Sequence, residues 1–250
     1  MHIVETHPVM TLPKSNIPLW RYMDIPSFLS ILTEEALTFV RADLFEDKYE
    51  GRPPKQTSEA INFAIRKEIN RGNIGSTLWN YSEFVDKNSF KPYLNCWCKG
   101  NHQMVHMWKI YSKENGIAIE TDYEKLKKAI DTDEPILPTE ISYVDYHNDV
   151  LDWNLNELTA YTTKRQEYKS ENEFRLIRIF PKGLEGQGSG VILRENSYLN
   201  TPIFKCKVDI FNLISRIHIS PYAPKWYQGL IEQILEKYNL ADIEVLQSDL

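Results

Sequence analysis

Two cysteines and two histidines lie close together in residues 93–122, YLNCWCKGNHQMVHMWKIYSKENGIAIETD. On a strand, Cys96 and Cys98 would share one face, and on a helix His102 and His106 would do the same. Two thiolates and two imidazoles form a ligand set that suits tetrahedral zinc. However, the spacing differs from that of zinc ribbons and fingers, and free cysteines commonly pack as small apolar side chains. The pattern therefore favours a place in the core over a zinc site.

A second group of residues, widely separated in the sequence, suits an anionic ligand that carries a flat ring. Arg21 stands near the end of a predicted strand, and arginine binds phosphate through two parallel hydrogen bonds. The Trp and Tyr side chains of residues 97–111 can stack on a ring. Glu171 or Glu173 can stabilise a cationic sugar carbon or polarise a ribose hydroxyl, as in glycosyl transfer.

A simpler interpretation of the late carboxylates needs no ligand. Glu171 and Glu173 alternate along one face of a predicted strand. On an exposed face they would pair with Arg175 or Arg178. The sequence by itself favours this interpretation.

Four acidic residues offer a third interpretation, a metal-dependent nuclease. Asp43, Asp47, Glu50 and Glu173 would supply the oxygen ligands that Mg²⁺ prefers. Carboxylates as dispersed as these are usually part of a solvated surface, which the pattern favours over a magnesium site.

Composition excludes several classes of protein. The chain has 250 residues, a net charge of −6 and 42% hydrophobic residues, which are ordinary values for a globular domain. The negative charge argues against a general affinity for the nucleic-acid backbone, which needs a basic surface. The 3 cysteines are too few for a disulfide framework. Neither a signal peptide nor a run of ~20 apolar residues is present, so we expect a cytoplasmic protein without a membrane span.

Periodicity and turn signals predict alternating strands and helices. Strands are predicted over 19–24, 37–42, 93–98, 116–122, 140–146, 172–180, 190–196, 202–211, 213–224 and 241–250. Helices are predicted over 25–36, 58–70, 101–115, 122–130, 150–168 and 225–240. The helix over 101–115 is expected to begin at the cap residue Asn101. The glycine-rich residues 182–190 predict a hairpin turn and not a phosphate loop.

The order of these elements predicts the fold class. The strands do not recur in evenly spaced strand–helix–strand units, so a doubly wound parallel sheet is not expected. We predict an α+β fold with a largely antiparallel central sheet and flanking helices. Residues 1–18 contain several prolines and are predicted to form an N-terminal arm. Residues 19–250 are predicted to form a single domain.

Three blocks of the sequence resemble, in order, the bacterial domain-of-unknown-function family numbered 2971. The first is LWRYMDIPSFLSILTEEALTFVRADLFEDKYEG, where Asp47 and Glu50 stand in the acidic loop that follows the second strand. The second is NCWCKGNHQMVHMWKIYSKENGIAIETD, and the third is YKSENEFRLIRI, which contains Glu171 and Glu173. Members of this family are bacterial proteins suspected of a role in defence against phage.

The same arrangement of an early Arg and a late Glu-x-Glu is similar to ADP-ribosyltransferases, which implies an ADP-ribosyltransferase-like fold and NAD as the cofactor. The resemblance implies that Arg21 binds the dinucleotide and that Trp108 or Tyr111 stacks on nicotinamide. It further implies that Glu173 is catalytic and that Glu171 orients the acceptor, a protein or a nucleic acid. The middle strand departs from the usual Ser-Thr-Ser, because residues 95–98 read Asn-Cys-Trp-Cys.

The resemblance therefore implies an NAD-using transferase or glycohydrolase, acting as an effector in phage defence. The other predicted ligand-binding residues come from the first strand, the middle strand and the acidic loop: Tyr22, Trp97, Asp47 and Glu50. One alternative is a non-enzymatic sensor or interaction module, in which the acidic loop and the aromatic tract recognise a peptide or a nucleic acid. The metal-dependent nuclease is the other.

Overall fold

In the computed structural model, the described residues are 3–13, 17–72, 91–112, 114–151, 158–178 and 201–250. The predicted turn at 182–190 and the predicted strand at 190–196 lie outside them. The strands are β1 Leu19–Asp24, β2 Ala36–Arg41, β3 Tyr93–Lys99, β4 Gly116–Thr121, β5 Ile136–Glu140, β6 Ser142–Val144, β7 Thr163–Arg165, β8 Glu173–Arg178, β9 Ile203–Lys207, β10 Arg216–Ile219 and β11 Glu244–Gln247. The α-helices are α1 Ile25–Glu34, α2 Lys55–Asn70, α3 Val105–Met107, α4 Tyr123–Ala129, α5 Thr159–Thr162, α6 Ile210–Leu213 and α7 Tyr227–Lys237.

Nine of these strands form one sheet. Part of it runs in the order β11-β10-β4-β1-β3-β2-β9, and β8 pairs with the other edge of β3 and with β5. Within the sheet only β10 and β11 are parallel to each other, and the remaining pairs are antiparallel. This arrangement confirms the predicted α+β fold with a largely antiparallel central sheet and flanking helices.

Strands β1 and β2 divide one edge of β3 between them. Strand β1 pairs with the end of β3, where Trp20 lies opposite Cys98. Strand β2 pairs with its beginning, where Val40 lies opposite Leu94. The two strands therefore separate beside the middle of β3, and the sheet contains a gap there.

The main core packs on one face of the sheet. Phe28 and Ile31 of α1, Leu126 of α4 and Ile231 of α7 are buried against it. Helix α1 begins at a capping residue, because Asp24 Oδ1 accepts a hydrogen bond from Ser27 N at 2.9 Å. The cap fixes the turn between β1 and α1, and α1 in turn carries the chain across the gap to β2.

The opposite face carries two smaller apolar clusters, one of which packs under a short helical segment. Trp20, Tyr22, Cys98 and Ala118 of the sheet contact Trp108 and Met107 in this cluster. The helical segment consists of α3 and the π-helical turn Trp108–Ser112 that continues it. We call residues 105–112 the wall helix.

Two of the predicted helices differ from the structure, and one strand was missed. The helix expected over 101–115 begins at Val105 and not at Asn101, because Gln103 and Met104 bond to side chains of the sheet instead. The helix expected over 150–168 was wrong at its end, where α5 is followed by β7 and a 3₁₀ helix over Gln166–Glu171. Strand β5 was missed, since Pro138 lies within it; the strand is close to an edge, where proline is tolerated.

The predicted N-terminal arm contacts this same strand. Val4 N donates to the carbonyl of Ile136 at 2.9 Å, and Glu140 N donates to the carbonyl of Thr11 at 2.7 Å. Ile3 is buried there. Among the described residues, none of the helices has both the length and the apolar character needed to cross a bilayer.

Candidate functional site

A cavity of about 640 Å³ opens where β1 and β2 separate. Its walls come from β1, α1, β2 and the wall helix, and they include Arg21, Tyr22, Ser27, Ser30, Thr38 and Tyr111. Three of these residues are predicted ligand-binding residues: Arg21 and Tyr22, which are neighbours on β1, and Tyr111, which lies about 90 residues later in the chain. The fold therefore brings them to one place, which we call the gap cavity.

Arg21 is the cation of this cavity. Its side chain is half-buried, and its Nη1 atom is buried without a hydrogen-bond partner among the described residues. The guanidinium lies over the ring of Trp97, with 5.7 Å between Cζ and the ring centroid. Burial lowers the pKa of Arg21 to about 10, which still leaves it charged at neutral pH. A buried N–H group without a hydrogen-bond partner is costly in a folded protein, which makes this atom a candidate ligand contact.

The main chain of the separated strands also faces the gap. Gly100 N donates to the carbonyl of Pro18, and Ala42 N donates to the carbonyl of Pro92. Because ladder bonds alternate along an antiparallel strand, the N–H and C=O of Cys96 point toward the same side of β3, into the gap. Asn95 fills part of this space, since its Nδ2 donates to the carbonyl of Thr38 at 2.8 Å.

The wall helix is held to the sheet by aromatic and backbone contacts. The ring of Tyr22 meets that of Trp108 edge to face at 5.0 Å, and its hydroxyl accepts a hydrogen bond from Met104 N. Gly116 allows the helix to end close to β4, because a Cβ there would lie 1.9 Å from the Cβ of Ser112. These contacts place Tyr111 in the cavity wall with 48% of its surface exposed.

Beside the gap, on the face that carries the wall helix, lies a row of alternating charges. Arg175 is fully buried and binds Glu50 through Nη1 at 2.6 Å and Glu173 through Nε at 2.5 Å. Lys164 binds the other oxygen of Glu173 at 3.0 Å and Glu171 at 2.5 Å. We call these five residues the ion chain.

The charges of the ion chain fix each other's protonation. Burial alone would raise the pKa of Glu173, but the neighbouring Arg175 and Lys164 outweigh it and lower the pKa to about 2. Burial would lower the pKa of Lys164, but the charges of Glu173 and Glu171 raise it above its usual value. Glu173 and Lys164 are therefore ionised at neutral pH.

Tyr111 connects the gap cavity to the ion chain. Burial, and then the negative charge of Glu171, raise the pKa of its hydroxyl to about 12. The same residue lines the cavity with Arg21. Tyr111 therefore borders the cavity and is affected by the charge of one member of the ion chain.

The two cysteines of the middle strand lie between these features. Burial, and then the charge of Glu173, raise the pKa of both Cys96 and Cys98. Both thiols therefore stay protonated, which is the opposite of what an activated nucleophile requires. His102 is exposed, whereas His106 Nε2 is buried without a partner in the described part of the chain. Within the described ranges, no group of three or more His, Cys, Asp or Glu side chains could hold a metal ion.

A model of the family described as "Protein of unknown function (DUF2971)" matches residues 107–176. The matched stretch contains the wall-helix residues Trp108 and Tyr111 and the carboxylates Glu171 and Glu173. It supports the resemblance over less than a third of the chain, and Arg21 lies outside it. Comparisons with curated proteins and with solved structures gave no match.

The remaining predicted residues lie away from the cavity wall. Trp97 and Trp108 are fully buried, and their indole nitrogens donate to Asn95 and Gln103. Asp47 binds Arg165 at 3.0 Å. The predicted pairing of Glu173 with Arg175 is confirmed, but the face that carries it is buried and not exposed.

Sequence reasoning missed Lys164 and the importance of Arg175. The alternation of Glu173 and Arg175 along β8 indicated a shared face, but not its burial. Nothing local indicated that Glu50 would complete the pair, because it is 125 residues away.

Proposed function

We propose that the gap cavity binds an anionic nucleotide and that NAD is the first candidate. The observation that carries this proposal is the buried Nη1 of Arg21, which lines the cavity without a hydrogen-bond partner among the described residues. A phosphate would supply two acceptors for one guanidinium, and arginine favours this geometry. The Arg21 guanidinium, which is costly to bury in the free protein, would become favourable in the nucleotide complex.

The rest of the cavity suits the other parts of a nucleotide. Ser27, Ser30 and Thr38 bring hydroxyl groups to the wall formed by α1 and β2. Such groups exchange hydrogen bonds with sugar hydroxyls in either direction. The half-exposed ring of Tyr111 offers a flat surface for a base or a nicotinamide ring. The volume is in the usual range for small-molecule sites.

The reaction we propose is transfer of ADP-ribose from NAD or hydrolysis of its glycosidic bond. A carboxylate that stays ionised stabilises a cationic sugar carbon, and the low pKa of Glu173 keeps it ionised. Glu171 binds Lys164, and its negative charge acts on the hydroxyl of the cavity residue Tyr111. We assign it the orientation of the acceptor or water.

Isothermal titration calorimetry with NAD tests the proposal. Wild-type protein should bind NAD, and Arg21→Met should lose at least tenfold in affinity, because one bidentate charged contact disappears. Arg216→Met is the matched control, since Arg216 is half-exposed at the sheet surface and should leave affinity unchanged. Absence of binding by NAD, ADP-ribose and ATP alike would overturn nucleotide binding in this cavity.

A second candidate, a non-enzymatic nucleotide sensor, is favoured by one observation. Both oxygens of Glu173 are engaged by Arg175 and Lys164, so this carboxylate carries its full set of cation partners without a substrate. Nicotinamide release distinguishes the two functions. Binding of NAD without release would support the sensor, whereas release that is lost in Glu171→Gln with binding retained would support the enzyme.

The biological role that we propose is defence against phage, and it rests on the family resemblance. Bacteria that express the wild-type chain should resist phage infection, and those that express Arg21→Met should not. Equal plaque counts for wild-type and empty-vector cells across a panel of phages would contradict this role.

A further inference from the structure

His218 lies at the centre of a hydrogen-bond chain on the face that carries the wall helix. Its Nε2 is 2.7 Å from Glu120 Oε2, and its Nδ1 is 3.1 Å from Gln103 Nε2. The other atom of the same amide, Gln103 Oε1, accepts a hydrogen bond from Trp108 Nε1 at 3.1 Å. The chain therefore runs from β4 through β10 to the wall helix.

The indole N–H of Trp108, at one end of the chain, fixes the orientation of the Gln103 amide and the tautomer of His218. An indole nitrogen can only donate, so Gln103 must present its oxygen to Trp108 and its NH₂ group to His218. His218 Nδ1 must then be an acceptor, and the ring proton is on Nε2, where it bonds to Glu120. This is neutral histidine in one tautomer.

Protonation of His218 is incompatible with this chain. Imidazolium donates from both nitrogens, so Nδ1–H would meet the NH₂ group of Gln103. If the amide turned to present its oxygen to His218, its NH₂ group would face the indole N–H of Trp108. One of the two hydrogen bonds to Gln103 must be lost in either case, while the contact with Glu120 is retained and strengthened.

We propose that His218 and Gln103 form a pH-sensitive latch that holds the wall helix on the sheet when His218 is neutral. The latch acts at the start of the wall helix, where the other hydrogen bond to the sheet is made by Met104 N. Trp108 also packs against Tyr22, and Met104 N bonds to the hydroxyl of the same tyrosine. Releasing Gln103 loosens the start of the wall helix first.

The charged and titratable groups around His218 act on it from several elements. Glu120 faces it from β4. Arg216 lies on its own strand and Glu244 on β11, and these two are bonded to each other. Arg216 also contacts Glu120 at 3.3 Å, so it shares that carboxylate with His218. Tyr22 lies two strands away on the same face and stays neutral, because burial raises its pKa.

The latch has a consequence for the gap cavity that rests on the proposed function. Tyr111 belongs to the wall helix and lines the cavity beside Arg21. Acidification would therefore lower the affinity for a ligand that stacks on Tyr111. The latch itself does not depend on any ligand, and its test uses the free protein.

Nuclear magnetic resonance and hydrogen exchange between pH 8 and pH 5 test the latch directly. In the wild type, the indole N–H resonance of Trp108 should move with the titration of the His218 ring. Amide protection factors over 104–112, corrected for intrinsic rates, should fall by about tenfold as one hydrogen bond is lost. His147→Gln is the control, because His147 is exposed and should leave both readouts unchanged.

The decisive variant is Gln103→Glu, which should reverse the sign. A carboxylate at this position accepts from the indole of Trp108 and from protonated His218 at once, so protection of 104–112 should increase as the pH falls. His218→Gln cannot titrate and should abolish the pH dependence. The proposal is overturned if the Trp108 resonance does not follow His218, or if Gln103→Glu shows the same direction of change as the wild type.

Discussion

Replacing Arg175 by methionine removes the cation that lies between two buried carboxylates. Arg175 is fully buried, and the side chains of its partners Glu50 and Glu173 are 2% and 4% exposed. Removing one member of a buried ion pair typically costs 3–5 kcal/mol, because the partner is left charged and desolvated. Glu173 keeps Lys164, whereas Glu50 loses its two hydrogen bonds from the guanidinium. We therefore expect Arg175→Met to lower the unfolding free energy by about 3–5 kcal/mol.

Thermal and urea denaturation measure this loss. In a chain of this size, the expected change lowers the melting temperature by about 6–20 °C. Arg216→Met is the matched control, because Arg216 also binds two carboxylates, Glu120 and Glu244, but is 49% exposed. Surface pairs contribute about 0–1 kcal/mol, so this variant should be nearly as stable as the wild type.

The loss in Arg175→Met should also depend on pH. A buried carboxylate without its cation is relieved when it takes up a proton, and this is easier at pH 5 than at pH 8. The difference in stability between wild type and variant should therefore shrink at pH 5. If Arg175→Met is no less stable than Arg216→Met at pH 8, the ion chain does not stabilise the fold as argued.

Three further predictions follow from single side chains. Arg21→Met should raise the unfolding free energy by about 1–3 kcal/mol at pH 7. The lowered pKa of Arg21 means that burial disfavours its charged form, so the wild-type side chain destabilises the folded state. An unchanged or lower urea midpoint would refute this. Asn95→Ala should cost about 1–3 kcal/mol, because Trp97 Nε1 loses its acceptor and the Thr38 carbonyl its donor. Asn95→Asp should cost at least as much, because it buries a carboxylate opposite the Thr38 carbonyl; a smaller loss for Asp than for Ala would contradict this. Ionised Glu173 stabilises the fold, because its pKa is about 2 in the folded protein against 4.5 for the free group. This stabilisation should be present above pH 4.5 and lost as the pH falls toward 2. In Glu173→Gln, the decrease in unfolding free energy on acidification should be about 3 kcal/mol smaller than in the wild type.

The starts of helices α1 and α4 were predicted to within one residue, because each is set by residues next to it in the sequence. Asp24 and Asp122 cap α1 and α4, and both helices begin where these caps place them. The wall helix differs because its start is set by contacts with the sheet. The carbonyl of Gly100 accepts from Trp20 and Met104 N donates to Tyr22, so both ends of residues 100–104 are bonded to β1 and the helix begins later.

The candidate site was predictable only in part, because long-range contacts bring its residues together. Arg21, Tyr22 and Tyr111 could be selected from residue type, and the gap between β1 and β2 brings them together. The gap itself depends on how two strands share the edge of a third, and no pattern within any one strand encodes that. The pairing of Arg175 with Glu50 was equally impossible to predict, because the two residues are 125 positions apart and meet only in the folded chain.

The two groups of buried charge in this fold differ in a way that separates structure from function. In the ion chain each carboxylate and each cation has a partner of opposite sign, so the chain is complete without any ligand. Arg21 lines a cavity and has a buried nitrogen without a hydrogen-bond partner among the described residues. If both groups only stabilised the fold, removing either cation would destabilise it. The opposite signs expected for Arg175→Met and Arg21→Met therefore distinguish a charge that the fold uses from a charge that the fold holds for a ligand.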